Sequence, residues 1–237
     1  MATAFEIPIV LKDAQAAFDD EKALKETRAY QHVVAYFVGD AAHRPYAGAS
    51  FEILGHSWRD DATVNTITVA DLLALGTLST PLKKYTAAEL LDDGFQARAS
   101  SLLSQVPPDA QIDDDRAADW LADASPAAEL YNLVRGVSGM GKTRTSKLLA
   151  RKRPGLVPIR DWNVEEALGA HTSADWWLPF RAMATSGVPS AVEVARKLHH
   201  LAGLSPVVMP LRVLDAILWR SVESPDGQGS DEPDADE

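Results

Sequence analysis

Apolar residues recur at helical spacing along nearly the whole chain. Between Glu21 and Phe37, for example, Leu24, Tyr30, Val33, Val34 and Phe37 fall close to one face. The spacing predicts helices over 21–38, 69–78, 86–105, 114–123, 126–135, 142–152, 162–169, 173–186, 190–202 and 206–221. Start signals repeat down the chain. Thr86-Ala-Ala-Glu89 and Ser190-Ala-Val-Glu193 have capping-box spacing, and Ser125-Pro126 sets an N-cap residue before a proline at the first helical position. Residues 40–66 lose the period and read as a long loop with a short extended piece at Phe51–Leu54; such loops are often functional. The alternation of strands and helices that a doubly wound sheet needs is missing, and no repeat of 20–50 residues is visible. The expected class is mainly α, a single helical domain over residues 10–222.

Composition narrows the chemistry. The 237 residues include no cysteine, which excludes a disulfide scaffold, a thiol nucleophile, cysteine-ligated zinc and a cysteine-held iron–sulfur cluster. No run of 18 apolar residues occurs, and the N-terminus has neither a basic segment nor a sustained apolar one, so a cytoplasmic protein with no membrane partner is expected. His199 and His200 are adjacent and diverge by about 100° on a helix, so no metal site is expected, and no cofactor signature stands out.

Net charge is −11, which argues against a nucleic-acid partner until its distribution is read. The last seventeen residues carry seven of the 34 acids and no base, leaving 27 acids against 23 bases in the body. Low hydrophobicity and like charge mark 223–237 as a disordered acidic tail, suited to solubility or to keeping a basic face off random nucleic acid. Residues 142–153, in contrast, hold Lys142, Arg144, Lys147, Arg151, Lys152 and Arg153 with no acid, and predict a basic helix face.

Just before that run, Gly136-Val-Ser-Gly-Met-Gly-Lys-Thr143 satisfies the phosphate-binding P-loop pattern, in which Lys142 would reach the β and γ phosphates and Thr143 would hold magnesium. That motif works between a buried strand and a helix. Here an amphipathic helical pattern precedes it, and no convincing magnesium-binding strand follows. The same residues suit a second arrangement: helix, tight Gly-x-Gly turn, basic helix. Val137 to Leu149 resembles the helix-hairpin-helix element of DNA repair proteins, in which two glycines let the backbone approach a DNA phosphate.

The likeness extends downstream. Val157-Pro-Ile-Arg-Asp-Trp-Asn-Val-Glu-Glu-Ala-Leu168 resembles the segment that carries the catalytic aspartate in the helix-hairpin-helix base-excision glycosylases, and the Pro-Ile-x-Asp-x-Asn-Val order is most similar to the adenine glycosylase branch. Asp161 lies eighteen positions after Thr143, a spacing those enzymes share. Residues 126–170 resemble the superfamily as a block, about a fifth of the chain. The Leu148–Pro154 run and the Leu211–Trp219 ending also resemble an uncharacterised actinobacterial family of unknown function.

The resemblance implies a duplex or damaged-duplex DNA partner held by Gly139, Gly141, Lys142, Thr143, Arg144 and Lys147. It implies Asp161 as the carboxylate that promotes hydrolysis of an N-glycosidic bond. Bifunctional relatives place a Schiff-base lysine where this chain has Thr143, so the implied activity is monofunctional. Trp162 and Trp58, with His56, Tyr46 and Arg44 of the long loop, are candidates for a flipped-base pocket. Glu26 and Glu52 are candidates for a proton donor that the sequence does not align. Two further readings stay open here: a non-catalytic DNA-binding module and a P-loop nucleotide hydrolase.

Overall fold

The computed structural model describes residues 4–55, 58–82, 85–173 and 175–222. The expected tail at 223–237 and the pocket candidate His56 lie outside the described residues. Where the pattern suggests one helical domain, contacts divide the chain into two compact units. Unit one comprises the described residues up to Tyr46 together with those from Arg160 onward; unit two is Ala47–Ile159. The class is mainly helical, with no strand among the described residues. The extended piece expected at Phe51–Leu54 is a run of turns.

Unit one opens with α1 (Ile9–Ala16), which periodicity missed, and which buries Val10, Leu11 and Ala14. Next come α2 (Glu21–Glu26) and α3 (Arg28–Val33), the latter running into a π turn over Val34–Val38. The single helix expected over 21–38 breaks at Thr27, whose backbone is extended (ψ 152°). Its hydroxyl donates to the Leu24 carbonyl at 2.7 Å and accepts from the Tyr30 amide at 3.3 Å. A threonine hydroxyl that bonds the backbone locally offers an alternative to the helix ladder, and here it ends one helix and caps the next.

Unit two carries α4 (Val69–Thr77), α5 (Thr86–Leu90), α6 (Asp93–Leu103), α7 (Ala117–Trp120), α8 (Pro126–Arg135) and α9 (Lys142–Lys152). The helix expected over 86–105 is split because Asp92 caps α6, accepting from the Gly94 and Phe95 amides. Thr86 and Glu89 form no capping box; Tyr85 occupies the N-cap. Thr68 and Asp71 make one instead, at the start of α4. Helix α9 packs on α4 and α8, and α8 on α6. Leu72, Leu75, Phe95, Leu130, Val134, Leu148 and Leu149 fill the space between them. Each such leucine contributes about 1.5–3 kcal/mol when fully buried.

The chain returns to unit one with α10 (Trp162–Ala167), α11 (Trp177–Ala184), α12 (Ala191–Leu201) and α13 (Pro210–Val222). The capping box of Ser190 and Glu193 starts α12 as its spacing predicts. Helix α13 is the axis of this unit, packed by α1, α3, α10 and α12. Leu211 through Leu218 are all buried, as expected of a helix covered on every side. No described helix is long and apolar enough to cross a membrane.

Candidate functional site

Helices α8 and α9 have the ends that spacing predicts, and six residues join them. Ser125 caps α8 by accepting from the Ala128 amide at 3.2 Å. In the turn, Val137 and Met140 are buried and pin it to the core, while Ser138 is exposed. Gly139 takes φ +84°, the left-handed region that suits glycine. Gly141 is the N-cap of α9, and no side chain caps the helix there.

Three successive carbonyls of the turn are engaged by side chains. Thr86 Oγ1 donates to the Ser138 carbonyl at 2.8 Å, Arg144 Nη1 to Gly139 at 3.3 Å and Thr145 Oγ1 to Met140 at 3.4 Å. Three successive oxygens are thus neutralised from the protein side. The start of an eleven-residue helix, with the positive end of its dipole, follows directly.

The basic run divides sharply. Lys142 and Arg144 are half-exposed, whereas Lys147, Arg151, Lys152 and Arg153 are buried. The expectation of a basic face over 142–153 is corrected for those four residues. Lys147 Nζ donates to the Leu78 carbonyl at 3.2 Å, and Thr143 is also buried. Arg151 bonds Asp71 Oδ1 through Nε at 3.1 Å and turns its two terminal nitrogens to the Phe51 and Leu54 carbonyls. Lys152 Nζ meets Asp71 Oδ2 at 3.1 Å and the Thr63 carbonyl at 3.0 Å. Arg153 reaches the carbonyls of Val106 at 2.8 Å, Val64 at 3.1 Å and Leu103 at 2.5 Å, and Asn65 Oδ1 at 2.6 Å.

These cations hold the loop residues Phe51, Leu54, Thr63, Val64 and Asn65 and the end of α6 to α9. Burial lowers the Lys152 ammonium below its usual range, with Asp71 opposing the shift, and pushes Arg153 down to about 10. A cation that leaves water needs a carboxylate or several oxygens in return, and the loop supplies them.

The P-loop reading loses its context, since its loop must follow a buried strand and here it follows α8. Trp58 is buried within unit two, with Arg59 over its ring at 5.5 Å. Tyr46 is stacked on Tyr36 at 5.3 Å in unit one, Arg44 and Glu26 are exposed, and Glu52 is buried.

Unit one holds the other candidate. Asp161 is half-exposed and caps α10, its Oδ1 accepting from the Val164 amide at 3.1 Å. Trp162 follows, 50% exposed, with its ring 4.0 Å from that of His171. His171 Nε2 lies 2.7 Å from Glu166 Oε2, and Nδ1 3.5 Å from Glu165 Oε2. Glu165 is fully buried and takes Arg160 Nε at 2.6 Å; Arg160 also donates to the Ser173 carbonyl and lies over Trp176. The sequence reading missed His171 altogether. Its signal was the five-residue step from Glu166 across a helix end, too common to stand out. Among the described residues no group of three or more histidine or acidic side chains could hold a metal ion.

Residues 29–222 match the Family of unknown function (DUF6308), and the chain belongs to that family. No curated protein and no solved structure matches the chain.

Proposed function

We propose that this member of the family binds DNA, with the α8–α9 turn acting as a helix-hairpin-helix element that holds a backbone phosphate. The observation that carries the reading is the engaged state of three successive carbonyls of the turn beside an uncapped helix start. With those oxygens occupied, an incoming anion meets amides, the helix dipole and the half-exposed Lys142 and Arg144 rather than lone pairs. Gly139, Gly141, Lys142, Thr143 and Arg144 form the proposed site. Lys147 is left out because its ammonium is buried on the Leu78 carbonyl. Such a contact carries no base identity, so binding is independent of sequence. Gly139→Val with Gly141→Val should weaken duplex binding at least about tenfold while helical content is retained. Wild-type affinity in that variant would reduce the turn to a connection.

A second reading is favoured by the surroundings of Asp161: a half-exposed carboxylate that precedes in sequence an exposed indole, whose ring meets a histidine set between two glutamates. In this reading the protein is a monofunctional DNA glycosylase. The Asp161 carboxylate stabilises the cationic sugar as the N-glycosidic bond breaks, water adds its oxygen to the sugar carbon, and the proton that the water gives up ends on the departing base. Trp162 offers a face to the base. Asp161→Asn keeps the cap and removes the charge, which should lower abasic-site formation on modified-base duplexes by about 10²–10³. A substrate turned over equally by both proteins would leave Asp161 as a cap alone.

A further inference from the structure

We infer that Tyr85 is a stacking residue for an unpaired or displaced base next to the phosphate held at the α8–α9 turn, an assignment that rests on the DNA reading above. Tyr85 is 86% exposed, the most exposed aromatic side chain among the described residues. Its backbone sits in the left-handed region, at φ 59° and ψ −19°. For a bulky side chain that conformation is a genuine outlier, and it persists only where the surroundings impose it. An exposed ring on strained backbone gains nothing from packing, so its own contribution lies outside the fold.

The position of the ring gives it a partner. Leu78, Pro81 and Thr86 are each tied to α9 or its turn by a hydrogen bond: Lys147 Nζ to Leu78, Arg144 Nε to Pro81, and Thr86 Oγ1 to Ser138. Among the described residues the two non-glycine positions with positive φ, Ser79 and Tyr85, directly follow Leu78 and precede Thr86, respectively. Tyr85 directly precedes Thr86, the buried residue whose hydroxyl holds the turn, so its Cα is about 3.8 Å along the chain from that anchor. A nucleotide whose phosphate rests on the turn brings its base within reach of a ring placed there. Stacking on an aromatic face accepts any base that is not already stacked, which selects bulged, gapped or single-stranded DNA over intact duplex. Tyrosine is neutral, so its share of the affinity does not depend on salt, whereas that of the turn does.

The test uses the full chain with two probes: a duplex bearing a single bulged 2-aminopurine and the same duplex fully paired. Wild type should prefer the bulged probe and quench its fluorescence, and Tyr85→Phe should do the same. Tyr85→Asn, a residue that tolerates left-handed backbone, should bind the bulged probe about tenfold more weakly without quenching. It should keep the affinity and salt response of wild type for the paired probe, and its melting temperature should match or exceed wild type. Quenching and preference unchanged in Tyr85→Asn, or equal losses on both probes, would overturn the assignment while leaving the turn untouched. A wild-type protein that binds neither probe would sink the DNA reading and this one with it.

Discussion

The two ends of α9 carry the same kind of side chain and place it in opposite surroundings. At the first turn, Lys142 and Arg144 are half-exposed beside a loop with three successive carbonyls occupied. One to three turns later, Lys147, Arg151, Lys152 and Arg153 are buried among carbonyl oxygens and one carboxylate. Charge counted along the chain treats the ends alike. What separates them is burial against Asp71 and the carbonyls of Phe51, Leu54, Thr63 and Val64 at the C-terminal end, whereas Arg144 keeps its exposure while donating to Gly139 and Pro81. The lesson is that a basic run can be internal scaffolding, with the surface cations reduced to those beyond the reach of those buried acceptors.

The largest effect should come from the buried end. Asp71→Asn leaves Arg151 and Lys152 in the interior without their carboxylate, and removing one partner of a buried pair costs about 3–5 kcal/mol. Urea denaturation followed by circular dichroism checks this, and a loss under about 1 kcal/mol would mean that the cations are solvated after all. A paired substitution sharpens the contrast. Lys142→Met should weaken DNA binding by about threefold to tenfold with stability within about 0.5 kcal/mol of wild type. Lys147→Met should leave DNA binding unchanged, since its ammonium faces Leu78. Reversed outcomes would exchange the roles of the two lysines.

The smallest effect extends the same rule to unit one. His32 is lowered from 6.5 to about 4, first by burial and then by Arg220 and Arg28, and it sheds its proton. Between pH 6.5 and about 4 the unfolded chain binds a proton that the folded one refuses. Stability contributed by the neutral ring is therefore full above pH 6.5 and falls as pH drops through that window. Thermal melts of His32→Gln should show a shallower acid slope; an unchanged slope would remove His32 as a cause.

Much of the helical framework was legible because its signals are local. Ser125-Pro126, the Gly139–Gly141 spacing and the Ser190–Glu193 box each specify an end within four residues, and α8 and α9 have the predicted bounds. Thr27 and Asp92 split longer predicted helices because their side chains bond the backbone beside them, which apolar period does not register. The fate of the basic run was not legible. Its acceptors lie far back in the sequence, Asp71 80 positions before Arg151 and Phe51 100 positions before it. Thr86 illustrates the same limit: its spacing to Glu89 suggests a capping box, yet its hydroxyl is bonded 52 residues away, at Ser138.

The most direct test of the proposal that, of the cations on α9, only those at its N-terminal end meet DNA is the salt dependence of duplex affinity. Two half-exposed cations on phosphates correspond to a slope of about −2 in log affinity against log salt, at roughly −0.9 per contact. Lys142→Met should reduce that slope by about one. A slope near −5, or no measurable DNA affinity at low salt, would contradict the account.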